Sequence, residues 1–222
     1  MTTQNNPIVI FDLDDTLFNE IDYLKSAFSE IAQQISQDSK ANQIEVFDRM
    51  LDLYHNKSNV FDGILKHYKS KNTISDLVSL YRNHQPKITL LEGRKAVFDG
   101  LKSSGIKMGL LTDGRSKQQR SKIIALEIEH YFEEIIISEE FGTEKPNKNN
   151  YLHFEKQFGK GHYFYIGDNT SKDFVSPNKL GWTSVCVLDN GHNIHKQNFS
   201  LNKDYLPAKT IDEFSGLIKL IG

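Results

Sequence analysis

The sequence predicts an α/β fold: an open parallel sheet flanked by helices, with a small helical bundle inserted after the first strand. Two patterns predict it. Short apolar runs, too brief for helices and rich in β-branched residues, recur along the chain and alternate with segments able to form helices. A long stretch after the first of these runs instead carries its apolar residues at helical spacing. The length agrees, since 222 residues at about 150 per domain suit one large domain with a small companion. A chain of this size buries roughly 70% of the surface its unfolded state exposes, so it needs neither disulfides nor a structural metal to hold it.

Ile8-Val9-Ile10-Phe11 reads as a buried strand ended by acidic and turn-forming residues. Similar runs follow at Ile106 to Leu111, Ile135 to Ile137, Tyr163 to Ile166 and Thr183 to Leu188. Runs apolar on both faces are what strands look like under crossover helices, so the sheet is expected to be parallel with right-handed crossovers. Between the first two runs lie helical stripes. Leu24, Ala27, Phe28, Ile31 and Ile35 form one, and Phe47, Met50, Leu51 and Tyr54 keep the i, i+3, i+4, i+7 pattern. Phe61, Ile64, Leu65 and Tyr68 repeat it, as do Ile74, Leu77, Val78 and Tyr81, with turns expected at Asn56 to Asn59 and Ser70 to Thr73. Residues 19–86 therefore form the expected bundle, residues 1–18 and 87–222 the sheet domain, and the stretch at Pro86 the return linker. The aromatic members of the stripes are expected in its core, because one face of every helix must be buried.

Composition narrows the partners. Lysine plus arginine number 27 against 29 acidic residues, a net charge of −2, too balanced for a general affinity for nucleic acid or an anionic membrane. Small molecules are the expected partners. Cys186 stands alone, which removes internal disulfides and thiolate zinc modules and fits a reducing cytosol. The start, Met1 to Pro7, lacks a basic and apolar leader, and no run approaches the roughly 20 apolar residues of a membrane helix. A soluble, unprocessed, cytoplasmic protein is expected.

Four fragments carry chemistry. In Phe11-Asp12-Leu13-Asp14-Asp15-Thr16-Leu17-Phe18, acids cluster at the end of an apolar strand. Asp also caps helices and opens turns. Two acids one residue apart, however, point to the same face of an extended segment, so Asp12 and Asp14 can address one substrate. Charges so close repel unless a cation neutralises one or a proton stays on the other. Leu110-Leu111-Thr112-Asp113-Gly114 offers a hydroxyl and a glycine that lets backbone amides approach an anion, or simply a strand-to-helix turn. Glu144-Lys145-Pro146 places a lysine in a polar stretch. Tyr165-Ile166-Gly167-Asp168-Asn169-Thr170-Ser171-Lys172-Asp173 ends a strand in two acids, of which Asp168 can present oxygen to a hard cation such as magnesium.

Taken in this order, the fragments resemble the haloacid dehalogenase superfamily, whose pattern is DxDxT, a Thr or Ser after the second strand, a Lys, then GDxxxxD. The resemblance covers about residues 8–190 and implies a Rossmann-like core with a helical cap inserted after the first motif. It implies that Asp12 is the nucleophile, forming an aspartyl-phosphate, and Asp14 the acid and base. Magnesium would be held by Asp12, the backbone carbonyl of Asp14 and Asp168, with Asp173 and the motif threonine Thr16 in support. Thr112 and the amides near Asp113 and Gly114 would hold phosphoryl oxygens, and Lys145 would balance charge. Phe18, with Asn19 and Glu20, would lie at the first hinge and face the substrate.

The superfamily holds two chemistries. Its dehalogenases release a halide that needs no proton and typically lack the second acid, so Asp14 favours a phosphatase acting on a small phosphate ester. Phosphomutases share all the motifs. A receiver-type signalling module also gathers acids, a hydroxyl and a lysine, but without a helical insertion, and an idle phosphate-binding protein would not need every motif intact. Pro177 and Asn178 depart from the small residues usual after the last motif and are expected to disturb the local helix. His192 and His195 are expected in a loop without metal, Arg115, Lys117, Arg120 and Lys122 on a solvated helix face, and Cys186 and Trp182 in the core.

Overall fold

The structure, a computed structural model, describes residues 6–221, so the reading of the extreme N-terminus falls largely outside the described residues. The chain runs β1 (Pro7–Phe11), α1 (Glu20–Ser39), α2 (Gln43–His55), α3 (Val60–Tyr68), α4 (Ile74–Asn83), α5 (Arg94–Ser103), β2 (Lys107–Thr112) and α6 (Ser116–Ala125). It continues through β3 (Glu134–Ile137), α7 (Ser138–Phe141), α8 (Lys148–Phe158), β4 (His162–Gly167), α9 (Val175–Lys179), β5 (Thr183–Val187), β6 (Lys209–Ile211) and α10 (Gly216–Ile221). The strands form one parallel sheet in the order β3-β2-β1-β4-β5-β6. Every strand expected from an apolar run is present. The sixth was not expected, because Lys209 and Thr210 are exposed and only Ile211 is buried, which leaves no apolar run to find.

Period-two geometry explains why β1 reads as wholly apolar. Val9 and Phe11 join the core on one face of the sheet, where Phe98 of α5 meets Phe11 edge to face at 5.2 Å. Ile8 and Ile10 join the core on the other, with Tyr151 and Phe154 of α8. The chain builds outward from β1 in one direction through β2 and β3, then in the other through β4 to β6. This reversal opens a crevice at the carboxyl ends of β1 and β4, where ligands bind in sheets of this kind.

The four helices α1 to α4 have a core of their own, in which Phe28, Ile31 and Ile35 of α1 meet Val46, Met50, Ile64 and Leu77. The expected turns become helix starts. Asn59 caps α3, and Thr73 and Asp76 form a reciprocal capping box on α4. The stripes are only partly sunk, with Phe47, Tyr54 and Phe61 half-buried and Ile74 exposed, because a unit of four short helices has little interior. Past α4 the chain returns to the sheet over α1: buried His84 lies between Ser26, at 2.7 Å, and Glu30, and the Lys87 amide donates to Ser26 Oγ at 2.8 Å. Pro177 does not abolish the helix expected to be disturbed there. It sits in the first turn of the short α9, where its missing N–H costs no helical hydrogen bond. No described helix is long and apolar enough to cross a membrane.

Candidate active site

The motifs converge. Asp12 follows β1, Thr112 ends β2, Asp168 follows β4, and Lys145 arrives from the segment between α7 and α8. Around the crevice they enclose a cavity of about 100 Å³, lined by Asp12, Asp14, Thr112, Asp113, Asp168 and Lys172, with Asp15, Glu20, Asn169 and His195 at its walls.

The buried centre is a lysine between two carboxylates. Lys145 Nζ donates to Asp12 Oδ1 at 2.6 Å, to Asp173 Oδ1 at 2.8 Å and to the Tyr165 hydroxyl at 3.2 Å. Burial works against its charge, but Asp12 and Asp173 outweigh that and hold the ammonium well above the usual lysine range. Burial likewise pushes Asp12 up to about 7, against the pull of Lys145. It also raises Asp168 well above the carboxylate range, helped by Asp173 and Asp12. Asp173 is fully committed as a brace, since its second oxygen accepts the Asp168 and Asn169 amides at 3.2 and 2.8 Å. That approach requires Gly167: a Cβ there would lie 2.6 Å from Asp173 Oδ2, an oxygen with no room to retreat.

Asp12, Asp168 and Asp173 bring carboxylate oxygens within 4.8 Å of one another. An all-oxygen, buried, anionic set fits a hard divalent cation such as magnesium and not a soft one. The Asp14 side chain turns elsewhere: Lys122 Nζ donates to its Oδ1 at 2.6 Å and Gln119 Nε2 to its Oδ2 at 2.8 Å. Gln119 also donates to Thr112 Oγ1 at 2.6 Å, which leaves the threonine O–H free to point into the cavity. Asp15, at φ 53°, accepts the Glu20 amide at 2.7 Å and the Ile194 amide at 2.8 Å, tying the first turn of α1 to the loop after β5. Thr16 is fully buried, its Oγ1 without a partner among the described residues.

Several expectations need correction. Phe18 does not face a substrate: it is fully buried in the sheet-domain core, where an aromatic ring is worth more than at the rim. The Gly114 amide is not free for an anion, because it donates to Ser138 Oγ at 2.9 Å, although the residue does sit at φ +139° as a flexible turn requires. Asp113, expected to serve through its backbone amide, does line the cavity, and its carboxylate holds the Lys145 amide at 3.0 Å and Lys172 Nζ at 2.9 Å. Lys122 is not on a solvated face but almost wholly buried against Asp14. His195 reaches the cavity wall, while the candidate metal cluster among the described residues contains no histidine. Glu20, expected beside Phe18 to face the substrate, does line the cavity. Gln119, Lys172 and Asn193, whose Nδ2 donates to Asp168 Oδ2 at 2.8 Å, were missed. Asn193 left one legible signal: the polar loop Asp189 to His195 follows an apolar strand, as the other motifs do.

Acids, a hydroxyl and buried ammonium groups at the switch point of a parallel sheet define the polar site of an α/β enzyme. The chain belongs to the haloacid dehalogenase-like hydrolases, whose family model matches residues 9–187. It is 29% identical over 205 residues to a glyceraldehyde 3-phosphate phosphatase of Methanocaldococcus jannaschii, covering 81% of this chain and 84% of that one. A protein of the same name from Methanothermobacter thermautotrophicus is 23% identical over 224 residues, covering 96% and 98%. Among solved structures, magnesium-bound YfnB of Bacillus subtilis superposes with a TM-score of 0.69 at 16% identity, over 99% of this chain and 100% of that one, a likeness of fold.

Proposed function

We infer that the protein is a magnesium-dependent phosphomonoesterase acting on a small phosphorylated metabolite through an aspartyl-phosphate. The observation that carries this reading is the pairing of buried Asp12 with Lys145 beside a second acid, Asp14, at the mouth of an anion-sized cavity. Asp12, fixed by Lys145, attacks phosphorus as the ester P–O bond breaks, and Asp14 gives a proton to the departing oxygen. Water then attacks the aspartyl-phosphate as Asp14 takes its proton, releasing phosphate and restoring both acids. The Thr112 hydroxyl stabilises a phosphoryl oxygen, and Lys145, sealed behind Asp12, offsets through that carboxylate the charge that builds at the site. Magnesium, held by Asp12 and Asp168 with the Asp14 carbonyl, would supply charge neutralisation for the phosphate and its nucleophile. The helices α1 to α4 act as the cap. Glu20 at the cavity wall belongs to α1, so movement of this unit changes access to the phosphate.

A cavity of about 100 Å³ is well below the about 300–1,000 Å³ of pockets that enclose larger ligands, which supports a compact substrate. Together with the names of the relatives, it makes a triose phosphate the first candidate. Phosphate release is measured with glyceraldehyde 3-phosphate, other sugar phosphates, nucleotides, phospho-acids and 4-nitrophenyl phosphate, with magnesium or with chelator. The expected result is metal-dependent release, fastest with the smallest esters. Isomerisation without free phosphate would mean a mutase instead.

The carboxylates also predict how magnesium acts on stability. Burial raises Asp12 from 3.8 to about 7, and burial with Asp14 raises Glu20 from 4.5 to about 8. The metal-free fold therefore holds these protons more tightly than the unfolded chain. That contribution is fully present below the unfolded values and is lost as pH rises toward 7 and 8. A divalent cation favours the ionised acids, so millimolar magnesium is expected to raise the melting temperature by about 5–10 °C near pH 8 and by less than half of that near pH 5. Equal shifts in the two melts would mean that Asp12 does not hold the ion.

A further inference from the structure

We propose that Lys122 and Gln119 of α6 are positioning residues that aim the Asp14 carboxyl at the reacting ester. This rests on the reading of Asp14 as the acid and base. The two side chains lie three residues apart on α6, on its buried face, and both reach Asp14. Between them they hold both Asp14 oxygens, Lys122 Nζ at 2.6 Å from Oδ1 and Gln119 Nε2 at 2.8 Å from Oδ2. Gln119 is 1% exposed and also grips Thr112 Oγ1, so one amide sets the spacing between the proton-transfer group and the hydroxyl that faces the phosphate. Lys122 is walled in by aromatic rings, its Nζ 4.8 Å from the Tyr23 centroid and 5.7 Å from that of Phe18.

A buried ammonium is costly unless its partner is well placed, and a surface pair would have served the fold more cheaply. Here the partner reaches the cavity. The Asp14 side chain is 21% exposed and lines the space where the phosphate would sit, while Lys122 itself is sealed behind it. The lysine therefore cannot touch substrate, and its influence passes through the carboxylate. Glu20 Oε1, 4.0 Å from Lys122 Nζ, flanks the pair without a hydrogen bond, so Asp14 is the group the lysine orients. A carboxyl clamped at both oxygens loses rotamers before the reaction, and proton transfer depends steeply on such alignment.

The test separates aim from folding by varying the need for a proton. Lys122→Met fills the same space among the rings, and Gln119→Leu keeps the shape of the amide without its donor. For each variant and for Asp14→Asn, kcat/KM is measured with 4-nitrophenyl phosphate, whose leaving group departs without a proton, and with an alkyl phosphate, whose leaving group does not. The inhibition constant of inorganic phosphate is measured alongside. The expected result is an alkyl-ester loss about 10–100-fold larger than the aryl-ester loss in both α6 variants, with phosphate inhibition within about 2-fold of wild type in Lys122→Met and weakened in Gln119→Leu, which also frees Thr112. Equal losses on the two esters in a folded variant would overturn the inference. If Lys122→Met does not fold, Gln119→Leu decides by the same comparison. Asp14→Asn tells the two failures apart. A leaving-group-dependent loss there but not in the α6 variants sinks only the positioning role, whereas its absence in Asp14→Asn sinks the acid and base reading and this inference with it.

Discussion

Asp12→Asn is expected to reduce phosphate release by at least about 1,000-fold with every ester, the scale on which loss of a covalent nucleophile falls. The amide is nearly isosteric and cannot form the acyl phosphate. The fold should survive. Asp12 is buried and raised to about 7, so ionising it near neutral pH works against burial, and a neutral amide removes that conflict. Lys145 keeps Asp173 and Tyr165 as partners. The variant should thus melt within a few degrees of the metal-free wild type while losing most of the magnesium-dependent gain near pH 8. Retained turnover in a folded Asp12→Asn protein would refute the nucleophile assignment.

Lys145→Met should be damaging in two ways at once. The side chain is 1% exposed and holds one oxygen each of Asp12 and Asp173, themselves 7% and 0% exposed. Its removal leaves two buried carboxylates facing each other without a cation, a change that costs about 3–5 kcal/mol in comparable buried pairs. For a chain of this length that corresponds to roughly 6–20 °C in melting temperature. If the same ammonium holds Asp12 for attack, as proposed, turnover should fall beyond what the lost stability explains. Calorimetry gives the first quantity and phosphate release well below the variant's melting point the second. A variant that melts near wild type would show that Asp12 and Asp173 find other compensation.

The contrast between Lys145 and Lys122 shows what a single sequence reveals. Both are lysines in polar surroundings, and both end in buried ion pairs with aspartates of the segment after β1. Lys145 was legible because it belongs to an ordered set of motifs. Lys122 was not, because on a helix with arginine and lysine neighbours its charge reads as a solvated face. Only the tertiary structure, which sets it against Asp14 and the rings of Phe18 and Tyr23, turns it inward. Phe18 failed in the opposite direction: its place beside the hinge suggested a substrate contact, but an aromatic ring gains more by burial than by rimming a polar cavity.

What the sequence determined by itself was whatever is encoded locally and periodically. Apolar runs set five of the six parallel strands, helical stripes set α1 to α4, with asparagine or threonine caps starting α2 to α4, and the short acidic motifs marked the strand ends that gather at the cavity. Tertiary structure alone decided which polar groups face one another. The pairing of Asp14 with Lys122 spans 108 residues and that of Asp12 with Lys145 spans 133. No local spacing specifies such contacts, since they exist only once the sheet and its helices have packed and the desolvated charges must find partners or a cation.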